Sequence, residues 1–282
     1  MKRREFLQIT QAGIILSAAP SLNALDYFEK KNSEDTIAMI QNEFCADALI
    51  DPDLLKPRAG DTIATPQQFA LIKSLYRRIY RVQRTVGYGH FNMISFDEMI
   101  NIGKRYRKVG RFTKDELNLF EEFFYESAQN YGFYGEKVLT DMTHTVNRRD
   151  IKKIRYSGHY LFKGDALNKY YKIRKEMGHK VVLTSGVRNI VKQMYLFLNK
   201  IVSMKGNISV ASRSLAPSGY SYHGISDFDI GKVGFGARNF TADFAKTEEF
   251  KKLIRLGYIN IRYPKNNPFG VRYEPWHIKV HS

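Results

Sequence analysis

The chain has 282 residues, 43% of them hydrophobic and 13% aromatic, enough apolar side chain for a packed core and too much for a disordered polymer. Its formal charge of +17 suits an anionic surrounding, whether nucleic acid, membrane headgroups or an acidic cell-wall polymer. A single cysteine, Cys45, excludes an internal disulfide, so stability must come from the core, with a metal as the one further aid.

The first residues, "MKRREFLQITQAGIILSAAPSLNA", place Lys2, Arg3 and Arg4 before an apolar run around Ala12 to Ala19 and then small residues. Segment 1–24 therefore reads as an export signal. Arg3-Arg4 followed by Phe6-Leu7 resembles a twin-arginine signal, with Lys2 and Gln8 at its flanks in place of the usual Ser and Lys. Cleavage after Ala24 would put Leu22 third from the cut, which is not a small residue. Beyond the signal no apolar run reaches the roughly 20 residues of a membrane span. Localisation in the periplasm or cell envelope follows as an expectation.

An amphipathic helix is expected over 36–46, and "KPRAGDTIATP" reads as a loop. Phe69, Ile72, Leu75, Ile79 and Val82 recur at helical spacing after Thr65-Pro66. Two capping-box patterns, Ser95 with Glu98 and Thr113 with Glu116, start further helices, the second expected to run to Gly132. The stretches "TDMTHTVNRRDIKKIRY" and "GDALNKYYKIRKEMGH" continue the basic, helical character. Residues 25–150 are thus expected to form a mostly α-helical region. Its basic face is the candidate for contact with anionic wall polymer or a membrane surface.

After residue 150 the pattern changes. "KVVLTSGVRN" contains a short β-branched run closed by Ser185-Gly186, and "NISVASRS", "SDFDIG", "YINIRYP" and "WHIKV" are further strand candidates. "NFTADFAKTEEFKKLIRLG" reads as one helix ending at Gly257. The fold class is α+β, with residues 151–282 as the second domain.

"SGYSYHGISDFDIG" and the closing "YEPWHIKVHS" hold the chemistry. In a strand over 226–231, Asp227 and Asp229 share one face while Phe228 and Ile230 point to the core. His223 from the preceding turn and His277 from the terminal strand complete a His, Asp, His set. Zinc accepts such a mixture, and three protein ligands with the fourth position left to water mark a catalytic site. Glu274, three residues before His277 and kinked by Pro275, is placed to act as general base.

Three blocks of the sequence resemble the VanY-type zinc D-alanyl-D-alanine carboxypeptidases, within the wider group that includes lysostaphin-type peptidases and the hedgehog fold. "SGVRNIVKQ" resembles the family's Ser-Gly-Tyr-Arg block, with Val187 in place of the aromatic; "SYHGISDFDIG" resembles its Ser-x-His followed by Asp; "EPWH" matches its Glu-x-x-His. The resemblance spans Val181 to His281. It implies a small antiparallel sheet with flanking helices, His223 and His277 as zinc ligands, Glu274 as catalytic base and Arg188 as the cation on the scissile carbonyl or substrate carboxylate. Gln193 and Ser221 follow as polar groups near the substrate. The third ligand is favoured to be Asp229, because "DIG" looks like the family's ligand and its followers. Asp227 is the second choice, or an acceptor orienting a histidine. The stretch between His223 and Asp229 is one residue shorter than the family's, and Ser226 stands where the family has Gly.

The resemblance implies a Zn2+-dependent peptidase acting on peptidoglycan stem peptides, foremost a D,D-carboxypeptidase releasing terminal D-alanine. An L,D-carboxypeptidase, an endopeptidase on the same polymer and a non-catalytic zinc-containing wall-binding protein are the alternatives. Nucleic acid is not expected as a partner, since export and the lack of a nucleic-acid motif speak against it.

Overall fold

The computed structural model describes residues 55–280. The expected export signal over 1–24, the helix over 36–46 and Cys45 lie outside the described residues. Among those described, no helix is long and apolar enough to cross a membrane.

The first part is helical, as its periodicity predicts. Helix α1 (Pro66–Val86) starts where Thr65 accepts from the Gln68 amide, with proline in the first turn, and buries Ile72, Leu75, Ile79 and Val82 on one face. A single turn, α2 (Tyr88–Phe91), leads to α3 (Phe96–Arg105) and α4 (Lys114–Tyr125). Both expected capping boxes form: Ser95 with Glu98 and Thr113 with Glu116 exchange side-chain and backbone hydrogen bonds at each start. Glu116 is also buried against Arg78, 2.6 Å away.

Helix α4 stops seven residues short of Gly132. A 3₁₀ turn over Ala128–Tyr131 follows, and Gly132, at φ +81°, supplies the left-handed residue that ends it. The helix expected over 140–156 does not form. The Asp141 carboxylate accepts from the Thr143 amide and hydroxyl, both at 2.8 Å, and Asn147 accepts from the Arg149 amide. These local turns compete with the helix. The chain then forms β1 (Ile151–Lys153), paired antiparallel with β2 (Tyr160–Phe162).

Helix α5 (Asp165–Met177) precedes β3 (Val181–Ser185), and α6 (Ile190–Ser203) and α7 (Ile208–Ser214) follow. The alternating Ile208 and Val210 of segment α7 predict a strand. Instead Asn207 caps it by accepting from the Val210 amide, and Ser212 and Ser214 donate to carbonyls three residues back. All seven residues are buried, so packing decides over β-propensity.

Strands β4 (Phe228–Lys232) and β5 (His277–Ile278) complete an antiparallel sheet of order β3-β4-β5. Segment 258–264 contributes only an isolated bridge, Ile261 to Ile278, because its neighbouring side chains turn to other work described below. The single helix expected over 239–257 is broken twice. Thr241 and Thr247 each cap a new start, giving two 3₁₀ turns and then α8 (Glu248–Arg255), with Gly257 at φ +70° beyond it.

Two large apolar clusters result. One packs α5, the sheet and the 240–253 segment around Phe228, Ile230 and Phe244. The other draws on α1, α3, α4, α6 and α7, so its side chains come from both sides of residue 150. Phe197 of α6 meets Phe123 of α4 edge-on at 5.8 Å and lies 6.4 Å from Tyr131. Asn189, with no exposed surface, adds a polar seam: its side-chain amide donates to the carbonyls of Met93, Ile94 and His144, and its backbone amide to Asn92.

Truncating Phe197 to alanine should cost about 3–5 kcal/mol, as large-to-small core changes do. Because that ring joins helices from both halves, denaturant unfolding followed by tryptophan fluorescence and by circular dichroism should give one coincident transition for wild type and variant. Two separable transitions would show that the halves do not share a core.

Candidate active site

The sheet sets the site through its register. Ser185 lies opposite Asp229, and Asp229 opposite His277, in one row across three strands, with an irregularity at Thr184 shifting the pairing just before Ser185. The neighbouring Phe228 and Ile230 have no exposed surface and point into the apolar cluster, as the alternation predicts. His223 arrives from a 3₁₀ turn over Tyr222–Gly224, next to Ser221.

His223, Asp229 and His277 are all buried, and one ligand atom from each lies within 4.8 Å of the others. Asp229 Oδ1 is 3.2 Å from His223 Nε2 and 3.5 Å from His277 Nδ1, yet neither approach is directed as a hydrogen bond. A buried carboxylate oxygen without a hydrogen-bond partner is costly. Facing two imidazole nitrogens, it is the mixed N/O donor set that a divalent metal such as zinc fits.

The far nitrogen of each imidazole is occupied. His223 Nδ1 donates to the Gly186 carbonyl at 2.9 Å, and His277 Nε2 donates to Asp227 Oδ2 at 2.9 Å. Such partners fix tautomer and ring plane, leaving His223 Nε2 and His277 Nδ1 to face the centre. Asp227 therefore lies outside the metal cluster and acts as the histidine's acceptor. Its two oxygens also receive Arg262 Nε at 2.5 Å, Arg262 Nη2 at 3.3 Å and the Val280 amide at 2.9 Å. The Arg262 guanidinium in turn covers the Tyr222 ring at 3.5 Å.

Burial alone would depress both imidazoles, and in His223 it does, reinforced by the Arg188 charge. In His277 burial is outweighed by the hydrogen bond to Asp227 and the nearby carboxylates of Glu274 and Asp229, which push it up to about 10. Burial opposes the charge on Asp229, but the two imidazoles and Arg188 hold its carboxyl below the usual value. Asp227 is held low against its own burial by His277 and Arg262.

Glu274 stands at the rim, Oε2 3.5 Å from His277 Nδ1 and Oε1 3.7 Å from Arg272 Nε. The Tyr263 ring packs edge-on to His277 at 5.5 Å. Arg188 is buried; Nη2 donates to Ser185 Oγ at 2.8 Å and lies 3.5 Å from Asp229 Oδ2, Nη1 donates to Gln193 Oε1 at 3.2 Å, and Nε has no hydrogen-bond partner. Arg188, Gln193, Ser221, His223, Asp229, Glu274 and His277 all line one cavity, so every residue singled out by the sequence meets there except Asp227.

Sequence reasoning missed Gly186, Ser185, Arg262, Tyr263 and Asn189. Ser185 and Gly186 stand in the quoted "SGVRN" block, but nothing in its pattern says that a glycine carbonyl would take the histidine proton. Gly186 also approaches Tyr160 so closely that a Cβ there would overlap the Tyr160 carbonyl.

Comparison with known proteins adds the following. Residues 163–282 match the family model of VanY, D-alanyl-D-alanine carboxypeptidase. No curated protein is similar enough to match. Among solved structures, the LdcB LD-carboxypeptidase, whose structure concerns peptidoglycan recognition, is 30% identical with a TM-score of 0.35, over 46% of this chain and 62% of that one. The vancomycin-resistance D,D-pentapeptidase VanY in complex with Zn(II) is 21% identical with a TM-score of 0.37, over 46% and 77%. VanYB in complex with D-alanine-D-alanine is 20% identical with a TM-score of 0.40, over 52% and 84%. The chain thus spans less than two thirds of the length of LdcB. Over residues 163–282 the chain therefore resembles VanY, D-alanyl-D-alanine carboxypeptidase.

Proposed function

We propose that the chain is an exported, zinc-dependent peptidase that trims the stem peptides of peptidoglycan, acting as a D,D-carboxypeptidase that releases terminal D-alanine. The observation that carries this reading is the orphaned Asp229 oxygen between two imidazole nitrogens, with Glu274 beside one of them in the same cavity. His223, Asp229 and His277 would hold the metal. When bound, zinc supplies Lewis acidity to the scissile carbonyl and to the attacking water.

The chain's own groups carry the remaining steps. Glu274 takes the proton from water as it adds to the carbonyl carbon, and returns it to the amine as the C–N bond breaks. Arg188 is held on the cavity wall by Ser185 and Gln193, where its guanidinium charge would meet the substrate carboxylate or developing oxyanion. Ser221 adds a polar wall to the same cavity. Asp227 keeps the His277 proton on Nε2, so that Nδ1 faces the centre. Export by segment 1–24 would place the enzyme at the cell envelope, where its +17 charge suits anionic wall polymer or a membrane surface.

The direct test is incubation of a muropeptide pentapeptide with zinc-loaded wild type and Glu274→Gln, with products read by mass. Wild type should release one D-alanine, and the variant should be slower by about 10²–10⁴ while keeping its metal. Equal rates, or release of a larger fragment, would contradict the assignment.

The acceptors of the two histidines make a second prediction. Asp227→Asn and Gly186→Ala should each lower zinc affinity by about 10–100-fold in a chelator competition, the first by loosening His277 and the second by displacing the carbonyl that holds His223. Unchanged affinity in both would show that the imidazoles need no support.

A further inference from the structure

A second cavity, of about 730 Å³, opens beside the catalytic one and shares Val271, Arg272 and Trp276 with it. Its walls carry Arg58, Arg213, Lys265 and Arg272 against one acid, Asp243. Asp243 is already engaged by Lys246 at 2.6 Å, and Arg213 by Asp61. Arg272 donates to the Phe240 carbonyl and lies over the Trp276 ring. Arg58 and Lys265 enter no ion pair among the described residues: the first is tied to Asp61 through its backbone amide and carbonyl, and the second approaches the Tyr273 ring.

Both rims are fixed by the helical region. Asp61 accepts from the Arg58 amide and from Asn207, each at 2.9 Å, and pairs with Arg213, which sets residue 58 at the groove. On the other side Tyr134 donates to the Phe269 carbonyl at 2.9 Å, and Gly270, at φ +73°, packs so close to Gly132 that a Cβ would overlap its carbonyl. The Arg272 amide then donates to the Arg213 carbonyl at 2.8 Å, closing the wall between the two cavities.

The catalytic cavity opens onto the wall it shares with this groove, so a bound chain that runs from the catalytic residues past Val271 and Trp276 enters the groove. We propose that the groove binds the part of an acidic peptide that precedes the scissile bond, with Arg58 and Lys265 reading a free carboxylate on it. This deepens the peptidase reading and rests on it. Residues 55–150 then take part in substrate selection, since they supply Arg58 and hold both rims.

The test uses two pentapeptides that are identical except that an internal carboxylate is free in one and amidated in the other. Hydrolysis is followed with wild type and the Arg58→Ala/Lys265→Ala double variant; binding is measured by calorimetry with zinc-loaded Glu274→Gln, with and without the two substitutions. Amidation should raise KM and weaken binding by about tenfold with kcat unchanged, and the double substitution should abolish that preference. Thermal melts confirm folding, which two exposed side chains leave intact; Lys265→Arg should retain the preference. Equal binding of the two peptides, or a preference that survives the double substitution, overturns the groove assignment even where both peptides are cleaved. Selective binding without cleavage by wild type leaves the groove standing and sinks the peptidase reading. Neither binding nor cleavage overturns both.

Discussion

A buried carboxylate, Asp229, is the constraint around which the rest of the molecule is arranged. It has almost no exposure, sits against one guanidinium and two imidazoles, and leaves one oxygen without a hydrogen bond. Removing such a charge from water is expensive unless every partner is held in place. The fold supplies that holding in two ways: the sheet row from Ser185 through Asp229 to His277 sets the backbone, and Gly186 and Asp227 fix the imidazoles from behind. Arg188 contributes charge balance from a third side while Ser185 and Gln193 fix its orientation. Preorganisation of this kind keeps the groups in place before substrate arrives.

The helical region is part of the same construction. Asn189 caps α6 and, through one side-chain amide, gathers three carbonyls from residues 93, 94 and 144. Its neighbour Arg188 is thereby fixed relative to α3 and the 141–147 turn. The shared aromatic cluster of Phe123, Tyr131 and Phe197 extends the same coupling through apolar contact. A peptidase segment stripped of these helices would expose the buried face of α6, which is apolar along most of its length.

Much of the site was legible in the sequence because its chemistry sits in short local blocks. Two histidines, an aspartate and a glutamate at short offsets do meet in one cavity, and alternation along 226–231 correctly put Phe228 and Ile230 in the core. The preference for Asp229 over Asp227 came from the resemblance of "DIG" alone, and its physical reason was not legible. It depends on Arg262, whose backbone segment was expected to be an ordinary strand and instead sends one side chain to Asp227 and the next to His277. Helices α1, α3 and α4 announced their starts through capping residues. Their ends, and the α7 segment, were decided by tertiary packing and by serine and threonine hydroxyls, which a one-dimensional pattern does not rank. The close approach of Gly186 to Tyr160 was hidden for the same reason, since it joins residues far apart in the chain.

The most direct test of the metal centre is an anomalous difference map at the zinc edge from crystals of the zinc-loaded protein. One peak bounded by His223 Nε2, Asp229 and His277 Nδ1, with Asp227 still on His277 Nε2, is the predicted result. A peak coordinated by Asp227 in place of Asp229, or none between the two histidines, would contradict the account.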